Sequence, residues 1–333
     1  MKLKEIGEFG FINRIAPLGA VRADGVIKGI GDDCAVISVD GPEYLLLTTD
    51  LLVERVHFLR DWARPDIFGA KALAVNLSDI AACGGQPRDA FISLAVPDGT
   101  EVDWLDGFYR GMADLARKWD VNLLGGDTSG SKSDLMINVT VTGLVPPNEV
   151  LFRHTARPGD VIVLTGPLGE SGAGLEILLN ASDLPEDVSQ PLIRAHLEPR
   201  PHIEEGRLLA SSGACTAAID VSDGLSSDLG HLCADSSVGA VVFEAKLPLR
   251  EPLVRAAALM GKDPLHWVLH GGEDYVLLAA VKSEMVEEIR SRAEDRGWNF
   301  LPIGEFVEGK GMELVRLDGT HEPLAPRGWD HFG

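Results

Sequence analysis

One stretch constrains the fold of this chain more than any other. Within Leu135–Val145, the residues Leu135, Ile137, Val139 and Val141 alternate with Met136, Asn138, Thr140 and Thr142. That period of two belongs to a strand with unlike faces. Pro146-Pro147 closes it, and Ala156-Arg157-Pro158-Gly159-Asp160 forms a turn-rich connector. A boundary near residue 150 is therefore expected, with units at 1–150 and 151–333. A chain of 333 residues is long enough for two such domains.

Before the boundary, Cys34–Val39, Tyr44–Thr49 and Phe91–Val96 are short apolar runs that read as strands. Two helices lie among them. Asp66–Ala82 is Ala-rich and ends before Gly84-Gly85. Glu101–Trp119 places Val102, Leu105, Phe108, Met112, Leu115 and Trp119 on one face. After the boundary, Val161–Thr165, Ala217–Val221, Ala240–Phe243 and Tyr275–Val281 read as strands. Ala173–Leu179, Gly224–Ala234 and Ser283–Arg296 read as helices. Strands and helices mix in both halves, and the adjacent strands of the first half favour α+β over α/β.

Charge narrows the function. Asp and Glu number 51 against 30 Lys and Arg, a net charge of −21. A nucleic-acid duplex or an anionic membrane would be repelled, so neither is expected as a partner. Cys34, Cys83, Cys215 and Cys233 are scattered without zinc spacing and read as reduced core thiols, which points to the cytoplasm. Met1 to Ile12 has no signal-peptide core, and no uncharged apolar run reaches the length of a membrane span.

Gly166–Gly174 reads GPLGESGAG. It lacks the Gly-Lys-Ser/Thr of a Walker A loop, which leaves a strand-to-helix turn or a phosphate contact at a helix start. The acidic motifs say more. They are Gly31-Asp32-Asp33, Thr48-Thr49-Asp50, Asn76-Leu77-Ser78-Asp79, Gly125-Gly126-Asp127-Thr128, Asp220-Val221-Ser222-Asp223-Gly224 and Gly271-Gly272-Glu273-Asp274. Each alone is an N-cap or a turn. Together they place Asp50, Asp127, Asp220 and Glu273 at the ends of apolar segments. Buried carboxylates need counter-charges, and the nearby cations are few, mainly Arg153 and His57. Oxygen-only ligands suit Mg2+, and several such ions suit a polyphosphate substrate. Protein-kinase motifs are absent.

These motifs carry a resemblance. GIGDDCAVI (Gly29–Ile37), TTDLLVERVHF (Thr48–Phe58), KALAVNLSDIAACGGQP (Lys71–Pro87), LLGGDTS (Leu123–Ser129), AIDVSDGLSSDLGHL (Ala218–Leu232), HGGEDY (His270–Tyr275) and GWDHF (Gly328–Phe332) run in order along the chain. The set resembles the thiamine-monophosphate kinase family, within the superfamily of aminoimidazole-ribonucleotide synthetase. The resemblance implies phosphorylation of thiamine monophosphate by ATP to thiamine diphosphate, several Mg2+ ions, and a homodimer formed through the N-terminal sheet. It implies a Mg-ATP-binding and dimerising domain over 1–150 and an α/β domain over 151–333 that completes the site. By motif, Asp33, Asp50, Asp79, Asp127, Asp220 and Asp223 would hold Mg2+, aided by Thr48 and Thr49. Gly126, Asp127, Arg153 and Ser222 would meet ATP phosphates and Tyr109 the nucleotide. His57, Glu273 and Trp329 would bind thiamine monophosphate. No side-chain general base is implied. Gly130 departs from the family pattern, which often has Arg there.

Other members of the superfamily fit less well. A selenophosphate synthetase-like chain would carry a reactive Cys near its start, whereas the first Cys is Cys34. The hydrogenase maturation relative ends in a Cys-bearing tail, whereas this chain ends in His331-Phe332-Gly333. A non-catalytic nucleotide sensor on the same fold would show degraded acidic motifs.

Overall fold

The computed structural model describes residues 3–19, 22 and 24–329. The last three residues of the GWDHF motif therefore lie outside the described residues. A 3-10 turn at Leu3–Glu5 leads into helix α1 (Gly7–Gly19), which sequence reasoning did not identify. Strands β1 (Val26–Lys28), β2 (Ala35–Ser38) and β3 (Tyr44–Val53) follow, then α2 (Pro65–Ala82), β4 (Gln86–Pro97), α3 (Val102–Lys118), β5 (Asn122–Ser131) and β6 (Met136–Val145). They form one sheet in the order β1-β2-β3-β6-β4-β5. Only β4 and β5 pair in parallel, and α3 is the crossover that a parallel pair requires.

The pleat sorts this sheet into two faces. Ile137, Val139 and Val141 of β6 are buried, while Met136 is exposed. The open face carries Leu51, Phe91, Leu124 and Met136, all exposed. Helices α2 and α3 pack against each other very closely. A Cβ added at Gly69 would sit 1.8 Å from the Phe108 carbonyl oxygen, and one at Gly111 1.8 Å from that of Asp66. Glycine at both points is what lets the backbones meet.

The second sheet is built from β7 (Val161–Leu164), β8 (Cys215–Asp220), β9 (Gly239–Phe243), β10 (Leu277–Val281), β11 (Leu301–Val307), β12 (Gly311–Val315) and β13 (His321–Pro323), in the order β13-β12-β9-β11-β7-β10-β8. Its helices are α4 (Glu170–Asn180), α5 (Glu186–Leu197), α6 (Ile203–Ser212), α7 (Leu225–Ser236), α8 (Glu251–Met260), α9 (Pro264–His270) and α10 (Val286–Glu294). Ile162, Leu164, Ala217, Ile219, Leu278 and Ala280 enter a core on one face. Val163, Ala218, Leu277, Ala279 and Val281 enter another core on the opposite face, together with α2 and the first sheet.

Helix α2 is thus enclosed by both sheets, and 13 of its 18 residues are buried. A helix surrounded in this way must be apolar all round, which explains its Ala-rich composition. The polar residues it keeps, Lys71, Asn76, Ser78 and Asp79, must each find a partner.

Three expectations need correction. Asp127 does not end its segment, because Gly125-Gly126-Asp127-Thr128 lies inside β5, which runs on to Ser131. β5 is an uncovered edge strand, so it shows no apolar alternation. Asp50 does not end its strand, because β3 continues to Val53. Ser283–Arg296 begins as a 3-10 turn and becomes α-helical only from Val286 to Glu294.

Candidate active site

The buried polar residues of α2 face two ways. Toward β3, Asn76 Oδ1 accepts the Asp50 backbone N–H at 3.1 Å, and Thr48 Oγ1 donates to Asp79 Oδ2 at 2.5 Å. Toward the second sheet, Ser78 Oγ donates to Asp220 Oδ2 at 2.7 Å, and Lys71 Nζ donates to Glu273 Oε2 at 2.6 Å. One helix therefore ties carboxylates of both halves into one place.

There Asp33, Asp79 and Asp220 bring carboxylate oxygens within 4.8 Å of one another. Burial, then the charge of Asp33, pushes the Asp220 carboxyl up to about 8. The same two causes push Asp50 up to about 6, and burial and Asp50 raise Asp79 well above the usual range. Desolvation and like charges act in one direction, so the cluster lacks positive charge. Arg153 offsets part of it through an ion pair with Asp33. Asp33 Oδ2 is nonetheless buried without a hydrogen-bond partner. Asp32, which sequence reasoning left out, is also raised, to about 6, by burial and Asp33; it pairs with Lys28 at 3.4 Å. Asp223 forms a neighbouring group with Asp228 and His231, again within 4.8 Å.

Glu273 is held in a second cluster. Its backbone is left-handed, with φ +60°, a strained state for a residue with a Cβ. Its N–H donates to the Ser222 carbonyl at 2.7 Å. Burial opposes its charge, but the Lys71 ammonium, by its charge and its hydrogen bond, holds the carboxyl below the usual range. His196 Nδ1 lies 3.2 Å from Glu273 Oε2, and burial, with the Lys71 charge, drives its pKa down to about 3, so the ring is neutral. The next residue, Ser222's neighbour Asp223, accepts the Trp329 N–H at 3.2 Å. Ser222 and Asp223 thus anchor the backbones of Glu273 and Trp329 side by side.

His57 sits in the turn after β3. Its Nδ1 accepts the Val53 N–H at 3.0 Å. The neutral ring then carries its hydrogen on Nε2 and presents a donor there.

Other residues lie elsewhere. Thr49 adjoins Thr48, but the pleat turns it to the open face, where its hydroxyl lies 3.0 Å from that of Thr140. Asp127 is exposed and register-matched to Ser93 on that same face. The sheet order separates β5 from β3 by three strand steps, about 14 Å. Gly126, at φ +147°, allows β5 to approach β4, since a Cβ there would lie 1.7 Å from the Ile92 carbonyl oxygen. Tyr109 is 37% exposed on α3, beside the N-terminal half of α2, with its ring edge-on to Phe108. Nothing lies within 4 Å of the Cβ position of Gly130.

Sequence reasoning missed Lys71, Asn76, Ser78 and His196. For the first three the available signal was a polar residue in an otherwise apolar helix.

Comparison with known proteins identifies the family. Residues 31–145 match the family model of AIR synthase related protein, N-terminal domain, and residues 157–316 that of its C-terminal domain. Thiamine-monophosphate kinase of Escherichia coli O157:H7 is 38% identical over 329 residues, covering 98% of each chain. A solved structure described as AaThiL complexed with AMPPCP and TMP superposes with a TM-score of 0.87 at 36% identity, covering 99% of each chain. The Escherichia coli hydrogenase maturation protein HypE superposes at 0.72 with 21% identity, a likeness of fold alone. Taken with the paired acidic motifs of both halves, this full-length similarity makes the chain a member of the thiamine-monophosphate kinase family.

Proposed function

We infer that this chain transfers the γ-phosphoryl group of ATP to thiamine monophosphate, giving ADP and thiamine diphosphate by direct in-line transfer. The observation that carries this is the loop Val221–Gly224. It follows Asp220 of the carboxylate cluster and holds Glu273 and Trp329 by backbone hydrogen bonds on its two central residues. Full-length similarity to thiamine-monophosphate kinases supports the same reaction.

The donor set fits Mg2+. It is made of carboxylate oxygens, one of them buried without a partner, and it carries raised carboxyls. Asp33, Asp50, Asp79 and Asp220 would hold such ions, with Asp223 adjacent and Thr48 orienting Asp79. Mg2+ bound there screens the mutual repulsion of two phosphate-bearing reactants. Arg153 brings a fixed cation to the same place and, with Ser222, is assigned to ATP phosphates. Glu273 offers an ionised acceptor to the thiamine rings and Trp329 an aromatic face for the cationic thiazolium.

No side-chain base is needed. The acceptor is a phosphate oxygen, whose second pKa is about 6, so it arrives ionised near neutral pH. His57, with Nδ1 already accepting, offers an Nε2–H to phosphate rather than a site to take a proton.

Thr49, Tyr109, Gly126 and Asp127 lie away from the cluster within one chain. Thr49 and Asp127 share the open face with Leu51, Phe91, Leu124 and Met136. A second copy of the chain on that face would cover those side chains, and we assign residues 1–150 to ATP binding and dimerisation and 151–333 to completing the site. Among the described residues no helix is long and apolar enough to cross a membrane. The four free cysteines, three of them buried, suit the reducing cytoplasm.

The deciding experiment measures ADP formation from ATP and Mg2+ with and without thiamine monophosphate. One ADP per thiamine diphosphate is expected. ATP binding without turnover would instead identify a nucleotide sensor, and turnover with selenide alone a selenophosphate synthetase-like enzyme.

A further inference from the structure

We propose that Ser226 and His270 are positioning residues that pin the segment Leu324–Trp329 onto the 221–228 loop, so that Trp329 is presented to the substrate beside Glu273. This rests on the substrate reading of Trp329 and Glu273 given above.

Ser226 is fully buried in the first turn of α7. Its hydroxyl donates to the Arg327 carbonyl at 2.5 Å and accepts the Arg327 N–H at 3.2 Å. His270 Nδ1 lies 2.9 Å from Ser226 Oγ and 3.2 Å from the Arg327 carbonyl oxygen. The serine hydrogen is committed to the carbonyl, so the hydrogen between Ser226 and His270 comes from the imidazole Nδ1–H. The Ser226 hydroxyl, the Arg327 N–H and carbonyl, and His270 Nδ1 then all have partners, as the burial of Ser226 requires.

The rest of the segment is fitted to the same surface. Leu324 N–H donates to the Met312 carbonyl at 2.8 Å. A Cβ at Gly230 would lie 3.1 Å from the Pro326 ring. A Cβ at Gly328 would lie 2.5 Å from the Asp223 carbonyl oxygen, so only glycine makes this approach. The Trp329 N–H then reaches the Asp223 carbonyl at 3.2 Å. Trp329 itself, at the end of this pinned segment, remains 51% exposed. His270 and Ser226 come from the HGGEDY and DGLSS motifs, and neither has a role in the chemistry described above.

The test compares Ser226→Ala, His270→Ala, His270→Asn and Trp329→Ala in the full chain. Each alanine change at the node should raise the KM for thiamine monophosphate about fivefold to tenfold, the effect of one or two lost hydrogen bonds, with kcat and the KM for ATP within about twofold. His270→Asn restores an N–H near the Nδ1 position and should recover most of the loss. In a Trp329→Ala background the node changes should add nothing. Hydrogen exchange of residues 324–329 should quicken in Ser226→Ala while the melting temperature holds. Equal damage to both KM values, or full additivity with Trp329→Ala, would overturn the proposal in favour of a general folding role. An unchanged KM in the node variants, beside a raised KM in Trp329→Ala, would overturn the pin and leave the substrate reading intact. An unchanged KM in Trp329→Ala would overturn the substrate reading itself.

Discussion

Asp220 is buried against two other carboxylates, with a serine hydroxyl and one distant guanidinium as its relief. Its carboxyl sits at about 8, far above the ordinary 3.8 of the unfolded chain. Between those values the folded protein binds more protons than the unfolded one, so stability falls as pH rises through that window. Metal-free protein should therefore melt at a higher temperature near about pH 5.5 than near about pH 8.5. Mg2+ should raise the melting temperature most at the alkaline end; a thermal scan in chelator and in Mg2+ across pH checks both. Above about pH 8, where the Asp220 carboxyl is ionised, Asp220→Asn removes one repelling charge and should raise the melting temperature of the metal-free protein. It should also lower turnover by about a hundredfold or more, for ~3 kcal/mol of lost transition-state stabilisation. His57 makes the opposite kind of prediction. As a phosphate donor, His57→Asn should raise the KM for thiamine monophosphate more than it lowers kcat, and the acid limb of kcat against pH should survive. Loss of that limb with a fall in kcat of about a thousandfold would instead make His57 the base.

At the scale of elements, α2 joins the two halves. Lys71 is 2% exposed and its ammonium is committed to Glu273 and to the His196 carbonyl. Removing one member of a buried pair leaves the other charge uncompensated, at about 3 kcal/mol. Lys71→Met should destabilise the protein by about that amount, and Lys71→Met/Glu273→Gln should recover part of it. Denaturant unfolding of the two single variants and the double variant measures the coupling. With Lys71 gone, burial acts on Glu273 almost unopposed, and its pKa should rise. The KM for thiamine monophosphate in Lys71→Met should then worsen toward acid pH relative to the unaltered chain. The glycine contacts of α2 with α3 make the same element intolerant of added bulk. Gly69→Ala would drive a methyl group into the Phe108 carbonyl, and that backbone cannot move without parting the helices.

For the whole molecule, the open face of the first sheet exposes the apolar side chains of Leu51, Phe91, Leu124 and Met136. If the proposed dimer forms through this face, Leu51→Asp with Phe91→Asp should give monomers in sedimentation, with each chain still folded, because both side chains point away from the core. Much of the architecture was legible because strand and helix periods are local. The two-residue alternation of β6, its end before Pro146-Pro147 and the stripe of α3 all appear in the sequence itself. The edge strand β5 was not legible, since a strand with no covered face has no apolar rhythm to display. For the candidate site, the acidic motifs were visible, but their grouping was not. Ser78 meets Asp220 across 142 residues and Lys71 meets Glu273 across 202. No local pattern encodes such a meeting, because it depends on α2 being packed between two sheets. The same dependence separates Thr48 from Thr49, which adjoin in the chain but face opposite sides of the pleat. By itself, the sequence determined which residue types stand at each segment and which segments become strands or helices, through the periods of their side chains. Only the tertiary structure decided that Asp33, Asp79 and Asp220 converge while Asp127 stands on the open face of β5, three strands from β3, because convergence is set by how the elements stack and not by their spacing along the chain.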